Sequence, residues 1–183
     1  ELISAEPYVA VTWATGVDPT TGRPIETEQS SYLEKAKLML PGPQGGHNWQ
    51  PMAFSPKTGL VYLPAHDTPF WYAKEGVFKV RPGTWNLGLD MDVVVERTET
   101  DTPVAKGQLI AWDPVAKQAR WRVEHEGHWN GGTLSTAGGL VFHGLGNGVF
   151  RAYHDETGEV LWEVRSQTGI IAAPISYALG DEQ

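Results

Sequence analysis

Asn48, Trp49 and Trp129 carry an amide and two indoles, which can donate hydrogen bonds and stack on other groups. An amide donates a hydrogen bond to a carbonyl oxygen, an indole face stacks on a planar ring, and an indole N–H reaches a carboxylate. A lone Trp is more often a core residue, and Asn48 alone could simply cap a turn. The adjoining polar residues and the Gly and Pro neighbours nevertheless favour a binding site at Trp49 and Trp129.

Other motifs that could form a binding or catalytic site have simpler explanations. Residues 144–148 (Gly-Leu-Gly-Asn-Gly) look like a phosphate loop, but they lead into a strand without a following helix, which favours a hairpin turn. His125 and His128 do not have metalloprotease spacing, so we expect solvated loop residues. Asp90 and Asp92 could bind calcium, yet alternating charge on a half-buried strand is the commoner cause. No catalytic residue and no metal ligand is therefore assigned in this chain.

The composition excludes several classes of partner and site. The 183 residues carry 14 Lys and Arg against 22 Asp and Glu, which gives a net charge of −8. This acidic balance argues against nucleic acid and anionic membrane as main partners. The sequence has no apolar run of about 18 residues, so no transmembrane helix is expected. It also has no start that resembles a signal peptide. The absence of Cys excludes internal disulfides, thiolate metal sites and a Cys-x-x-Cys-His haem attachment.

A repeat of about 40 residues organises the second half of the chain. Residues 107–113 (Gly-Gln-Leu-Ile-Ala-Trp-Asp) and Trp121 recur 41 positions later as residues 148–154 (Gly-Val-Phe-Arg-Ala-Tyr-His) and Trp162. A fixed period built from short apolar runs and turn residues is typical of a propeller or a stacked array. We expect the two Trp residues to lie in the core, where each would pack against the next blade and set the curvature of the ring.

A second shift, of 80 residues, places Trp49 on Trp129 and residues 59–62 (Gly-Leu-Val-Tyr) on residues 139–142 (Gly-Leu-Val-Phe). A shift of this length could mean two blades or one blade with an insertion. One enlarged blade is favoured, because only one Ala-Trp-Asp segment lies between the two Trp positions. Blades bury their faces only against neighbours, so an arc of this size has two apolar flanks. We therefore expect a segment of a longer propeller.

The strands predicted from these repeats divide an all-β chain of antiparallel four-stranded blades into five segments. Extended structure is expected at the start, a short helical turn over residues 32–40, and alternating strand character over residues 91–95. The segments are the last strand of a blade (1–16), a connection (17–46), an enlarged blade (47–125) with an insertion (65–106), a compact blade (126–166), and the first strand of the next blade (167–183).

The repeats resemble the tryptophan-docking motif of pyrroloquinoline-quinone (PQQ) dehydrogenases, Ala-x-Asp-x-x-x-Gly-x-x-x-Trp, a family of eight-bladed quinoprotein propellers. Residues 13–24, 45–54 and 129–136 are more similar still to the quinohaemoprotein alcohol dehydrogenase branch, and residues 48–54 (Asn-Trp-Gln-Pro-Met-Ala-Phe) are the most specific stretch. The docking-motif matches are Ala111, Asp113 and Trp121, then Ala152, Gly158 and Trp162, with Lys117 and His154 replacing the remaining Gly and Asp.

The resemblance implies roles for the three residues described first. Asn48 and Trp49 match the pair that lines the quinone in the family, and Trp129 matches a Trp on the inner rim beside it. First strands of blades line the central channel of a propeller, so these residues should converge although Trp49 and Trp129 are 80 positions apart. The family's catalytic Asp, calcium ligands and vicinal Cys pair match no position here, so this chain would supply one wall of the site and be inactive by itself.

The resemblance also implies a periplasmic enzyme that oxidises a primary alcohol to an aldehyde by hydride transfer to PQQ, with calcium bound outside this chain. Its partners would be the remainder of the propeller, a small alcohol, and a cytochrome or other electron acceptor, with haem c in another domain as an option. The insertion could cover the channel mouth or dock a partner. Two alternatives stay open: a non-catalytic scaffold propeller, as in outer-membrane assembly, and an interaction module closed by self-association.

Overall fold

The computed structural model describes residues 2–180 and 182, and within them it contains twelve strands and one helix. The strands are β1 Ala14–Val17, β2 Pro24–Glu26, β3 Lys37–Met39, β4 Ala53–Ser55, β5 Leu60–Asp67, β6 Phe70–Tyr72, β7 Lys106–Asp113, β8 Gln118–Glu126, β9 Asn130–Ser135, β10 Leu140–Leu145, β11 Val149–His154 and β12 Val160–Arg165; the helix is α1 Met91–Asp101.

The chain forms two compact units. The first contains Glu1–Gly46 and Asp67–Ala105, and the second contains His47–His66 and Lys106–Gln183. The second unit holds two antiparallel four-stranded sheets, with strand orders β4-β5-β7-β8 and β9-β10-β11-β12. The first sheet is interrupted between β5 and β7 by the insertion. The expected antiparallel four-stranded sheets are thus confirmed.

The 41-residue repeat reappears as an equivalent hydrogen-bond register in the two sheets. Ala111 lies opposite Trp121 in the first sheet, and Ala152 lies opposite Trp162 in the second. In each sheet the register shifts immediately after the Ala, which marks a β-bulge at the same position. The sequence repeat therefore specifies backbone geometry as well as the type of side chain.

A shared apolar core joins the two sheets of the second unit. The Trp121 indole N–H and the Tyr62 hydroxyl both donate to the Asp155 carbonyl, at 3.0 and 3.1 Å. The Trp121 ring lies 5.9 Å from the Tyr62 ring and 6.4 Å from the Tyr153 ring. Trp121 therefore packs between the sheets as expected. The buried members of the core are Leu60, Tyr62, Leu109, Ala111, Val141 and Tyr153.

Trp162 is not in the core of this structure, and that expectation is wrong. It is 49% exposed, although its ring contacts Phe150 in an edge-to-face pair at 6.2 Å. All six residues of β12 are exposed. The difference from Trp121 has a simple cause, because no further sheet packs against β12 within residues 2–180 and 182.

The segment that contains β4 lies beside β9, the first strand of the other sheet. The Thr133 N–H donates to the Pro51 carbonyl at 2.9 Å, and the Ser135 hydroxyl donates to the Phe54 carbonyl at 3.1 Å. At the end of β10, the Ile170 N–H donates to the Leu145 carbonyl at 3.0 Å. Residues 170–177 nevertheless form no strand, contrary to expectation, because no second strand of their own sheet pairs with them in the described chain.

The first unit holds two short two-stranded sheets and α1. β1 pairs with β2, and β3 pairs with β6 so that Leu38 lies opposite Trp71. Two predictions are wrong here: the first strand begins at Ala14 rather than nearer the start, and residues 32–40 contain β3 rather than a helical turn. No helix in the described part of the chain is long and apolar enough to span a membrane.

The strand predicted over residues 91–95 is also wrong, because these residues begin α1. The Asp90 side chain accepts a hydrogen bond from the Val93 N–H at 3.2 Å, which caps the helix, and Asp92 lies in the first turn. Both positions favour a helix start through capping and the helix dipole. The role of Asp90 is therefore helix capping.

Candidate functional site

The three predicted site residues begin the neighbouring first-strand segments of the second unit. Trp49 lies two residues before Pro51, and Trp129 lies four before Thr133, whose N–H bonds to the Pro51 carbonyl. The two hydrogen bonds between the segments, at Thr133 and further along at Ser135, advance in the same direction. This parallel register places Trp129 level with residues 47 and 48, so all three residues lie at the same end of the two segments.

Trp49 and Trp129 present their indoles outward. Trp49 is 56% exposed and Trp129 is 43% exposed. A core Trp buries most of its surface, as Trp121 does in the same unit. The two indoles thus offer apolar surface to another group rather than to the core.

The side-chain oxygen of Asn48 is engaged within its own turn. Its Oδ1 accepts a hydrogen bond from the Trp49 N–H at 2.9 Å, which is the turn-capping role considered from the sequence. The oxygen is therefore used locally. Any contact of Asn48 with a ligand carbonyl would come from the Nδ2 donor, the half of the amide suited to that task.

A close approach of two backbone segments holds Trp129. The Gly146 N–H donates to the Trp129 carbonyl at 3.0 Å, and a Cβ at Gly146 would lie 2.7 Å from that oxygen. Only glycine fits at that distance. The loop containing Gly146 connects β10 to β11 and is closed by the Gly148 N–H bonding to the Leu145 carbonyl at 3.0 Å, so the hairpin turn predicted for residues 144–148 is confirmed.

Sequence reasoning missed the buried amides that follow each Trp. Gln50 is 1% exposed and Asn130 is fully buried. The Asn130 Nδ2 donates to the Ala65 carbonyl at 3.3 Å and to the His128 carbonyl at 3.2 Å, which ties the start of β9 to the end of β5. The repeated pattern of an outward indole followed by an inward amide was available in the 80-residue shift. The Asn130 amide therefore helps to hold the backbone that carries Trp129.

Four histidines lie at the ends of neighbouring strands in this unit. The His125 and His143 rings are 5.6 Å apart, and those of His66 and His128 are 6.4 Å apart. The prediction of a solvated loop residue is wrong for His125, which is buried in β8. A Cβ at Gly107, opposite in β7, would clash with the His125 ring and would lie 2.6 Å from the Gly127 carbonyl, so glycine makes room for the imidazole.

Burial keeps this histidine pair neutral. Burial, with a smaller contribution from the Arg151 guanidinium, lowers the pKa of His125 to about 4. Burial, the neighbouring His125 and Arg151 lower the pKa of His143 to about 3. Burial also lowers the pKa of His128, whose ring lies 5.1 Å from the Trp129 ring. No group of three metal-ligating side chains occurs among the residues that the structure describes.

Comparison with known proteins gives a consistent set of relatives. The family model described as PQQ, glucose/ethanol/alcohol dehydrogenase, beta-propeller domain, matches residues 91–183. The dehydrogenase subunit of the quinone alcohol dehydrogenase from Gluconacetobacter polyoxogenes is 46% identical over the whole chain, and the quinohemoprotein alcohol dehydrogenase ADH IIB from Pseudomonas putida is 44% identical. The chain spans 26% of the length of each of these relatives.

Solved structures agree with this pattern. The quinohemoprotein alcohol dehydrogenase from Comamonas testosteroni superposes with a TM-score of 0.84 and 41% identity, covering 97% of this chain and 27% of that one. A europium-containing methanol dehydrogenase superposes with a TM-score of 0.83 and 29% identity, covering 98% of this chain and 31% of that one.

Proposed function

The chain belongs to the PQQ family of β-propeller domains from glucose, ethanol and alcohol dehydrogenases, and from this premise we propose that it is part of a PQQ-dependent alcohol dehydrogenase. Its four-stranded antiparallel sheets are blades of that propeller. Because the chain spans about a quarter of the length of its relatives, the activity belongs to the whole protein.

One observation carries the proposal: two outward indoles lie at the same end of adjacent parallel segments, each followed by a buried amide. A planar conjugated ring with carbonyl and carboxylate groups is a ligand that such surfaces bind well. Asn48 Nδ2 would donate to a quinone carbonyl, Trp129 would offer its indole face to the ring, and Trp49 would line the same wall. A non-catalytic scaffold has no need of exposed indoles at this position.

In the proposed reaction a primary alcohol is oxidised to an aldehyde. Bound PQQ would accept the hydride, with calcium, or a lanthanide as the name of the europium-containing relative suggests, polarising its carbonyl. The ligands of that metal and the base that removes the hydroxyl proton would come from the rest of the protein. The contribution of this chain is to orient the ring and to keep water from one side of it, through Trp49 and Trp129.

The proposal also covers the rest of the protein, the electron acceptor and the cellular location. The remainder of the propeller would cover the exposed face of β12, and the electron acceptor would be a cytochrome or another carrier. The name of a butanol dehydrogenase from Thauera butanivorans specifies cytochrome c. Since this chain has no Cys, haem c would be attached in another domain. The location proposed from the family is the periplasm.

Titration of the full-length apoprotein with PQQ tests the site directly. Trp129→Ala should weaken PQQ affinity roughly 5- to 150-fold, because removing a stacking aromatic costs about 1–3 kcal/mol. Asn48→Ala should weaken it less, by the value of about one hydrogen bond. Trp85→Ala, which removes an exposed Trp in the other unit, is the matched control and should leave affinity unchanged.

Unchanged affinity in both Trp129→Ala and Asn48→Ala would contradict the site assignment. A full-length protein that binds PQQ but oxidises no primary alcohol would contradict the proposed reaction while leaving the binding site standing.

A further inference from the structure

A loop in the insertion presents an unusual amount of apolar surface. Five large hydrophobic residues between positions 74 and 87 are more than half exposed, and Trp85 reaches 87%. Isolated exposed hydrophobic residues are ordinary, but a cluster of them within one loop marks an interaction surface. We refer to residues 74–87 as the 74–87 loop. Its exposed apolar residues are Val77, Phe78, Val80, Trp85 and Leu87.

Internal contacts hold the 74–87 loop in one shape. At its neck the Glu75 N–H donates to the Gly88 carbonyl at 2.9 Å. At its tip the Arg81 N–H donates to Asn86 Oδ1 at 2.7 Å, and Asn86 Nδ2 donates back to the Arg81 carbonyl at 3.0 Å. The Arg81 guanidinium also pairs with the Glu75 carboxylate. A preformed loop loses little conformational freedom when it binds, which favours affinity.

The charge of the 74–87 loop is opposite to that of the chain. Lys74, Lys79 and Arg81 against Glu75 give the loop a net charge of +2, whereas the whole chain carries −8. Lys79 and Arg81 flank the exposed Val80, so the charges border the apolar surface directly. An apolar centre with a cationic border is complementary to a partner that has an apolar patch with an acidic border.

We propose that the 74–87 loop docks an acidic electron-carrier protein, with Trp85 as the central anchor and Lys79 as the steering charge. The inference rests on the proposed function, since an alcohol dehydrogenase must pass on its electrons. Each alcohol oxidised yields two electrons and two protons, so two one-electron carriers are reduced per turnover and the protons go to water. Exposed Trp and Arg residues are the side chains most enriched at the energetic centre of protein interfaces.

Direct binding to an acidic c-type cytochrome is the primary measurement, by isothermal titration with the full-length enzyme. Trp85→Ala should weaken binding at least about tenfold, as removal of an interface anchor does. Lys79→Glu should weaken it several-fold at low salt and less at high salt, because screening removes the steering charge. Lys35→Glu, an exposed charge change in the same unit outside the loop, is the matched control and should stay within twofold.

Three results would overturn the proposal. The first is unchanged cytochrome affinity in Trp85→Ala and Lys79→Glu. The second is shielding of Trp85 from acrylamide quenching in the free full-length enzyme, which would show that the enzyme's own chain covers the loop. The third is loop-dependent binding to phosphatidylserine vesicles without loop-dependent cytochrome binding.

Alcohol oxidation with a small dye acceptor, measured in parallel, separates this proposal from the proposed function. Dye-linked activity should be equal in the wild type and both loop variants. If no dye-linked activity exists but the affinity differences hold, the docking surface stands and the proposed reaction fails.

Discussion

The two copies of the docking repeat share a left-handed turn position but place different residue types there. Gly158 has φ 74° in the second sheet, and Lys117 has φ 58° at the equivalent turn of the first. An L-residue in this left-handed region costs roughly 1–2 kcal/mol, whereas glycine adopts it freely. The resemblance to the family pattern flagged Lys117 as a departure, and the structure shows that the turn keeps its geometry in spite of it.

Lys117→Gly should therefore stabilise the protein. Part of the strain relief is offset by the greater freedom of glycine in the unfolded chain, so we expect a net gain of roughly 0.5–1 kcal/mol. Chemical denaturation of the wild type and the variant measures it. Ala116→Gly, one residue earlier without a positive φ, is the control and should lose stability. A loss in Lys117→Gly would mean that the side chain contributes more than its backbone strain costs.

The second unit illustrates what a sequence repeat can predict at the scale of strands. Strands β7, β8, β11 and β12 lie where the 41-residue shift places them, because register pairs such as Ala111 with Trp121 are encoded by the repeat itself. The same reasoning places the starts of the two Trp-bearing segments at one end. Repeats predict well because equivalent residues meet equivalent neighbours.

The insertion shows where that reasoning ends. The alternation of Met91, Val93 and Val95 favours a strand, but only Val94 is buried in α1. The local signals for a helix start, Asp90 and Asp92, outweigh a weak alternation that no neighbouring strand supports. The prediction that Trp162 is buried failed for the opposite reason, because its burial depends on a neighbouring sheet and not on its own segment. The buried amides Gln50 and Asn130 were missed because residue type alone does not reveal burial.

The histidine pair between the strand ends makes the second unit sensitive to acid. Burial lowers the pKa of His125 and His143 to about 4 and about 3, below the usual value of 6.5. The unfolded chain binds protons as the pH falls below 6.5, while the folded chain does not until the lower values are reached. Stability is therefore fully present above pH 6.5 and is lost progressively as the pH falls toward 4 and 3.

His143→Gln should flatten this dependence. The free energy of unfolding, measured by denaturant titration between pH 7 and pH 4, should fall less in the variant, by on the order of a few kcal/mol. Carboxylates also titrate in this range, but they do so equally in both proteins. Val141→Ala, a change at a buried, non-titrating residue in the same strand β10, is the control; it should lower stability at every pH and retain the wild-type slope. Equal slopes in all three proteins would contradict the role of the buried pair.

On the scale of the whole molecule, the two docking Trp residues are equivalent in register and different in environment. Trp121 packs between two sheets, and Trp162 lies on the exposed strand β12. If the remainder of the propeller covers β12, the two positions should become energetically alike. The expected cost of removing a buried Trp side chain is about 3–5 kcal/mol.

Trp162→Ala tests this in two proteins of different length. In the full-length protein it should lower the melting temperature about as much as Trp121→Ala does. In the 183-residue chain the Trp162 change should cost clearly less than the Trp121 change, because half of its side chain is already solvated. A small effect of Trp162→Ala in the full-length protein would show that no further blade packs against β12.

The position of the insertion has a consequence for how this blade tolerates change. β5 and β7 are neighbours in one sheet, so the chain leaves and re-enters the sheet at adjacent strands about 5 Å apart. A hairpin turn of two to five residues spans such a gap. The four-stranded sheet would keep its strand order whether the intervening 38 residues between Asp67 and Lys106 are shortened, lengthened or exchanged. The blade is therefore a frame that can accept changes in this insertion without a change in the strand order of its sheet.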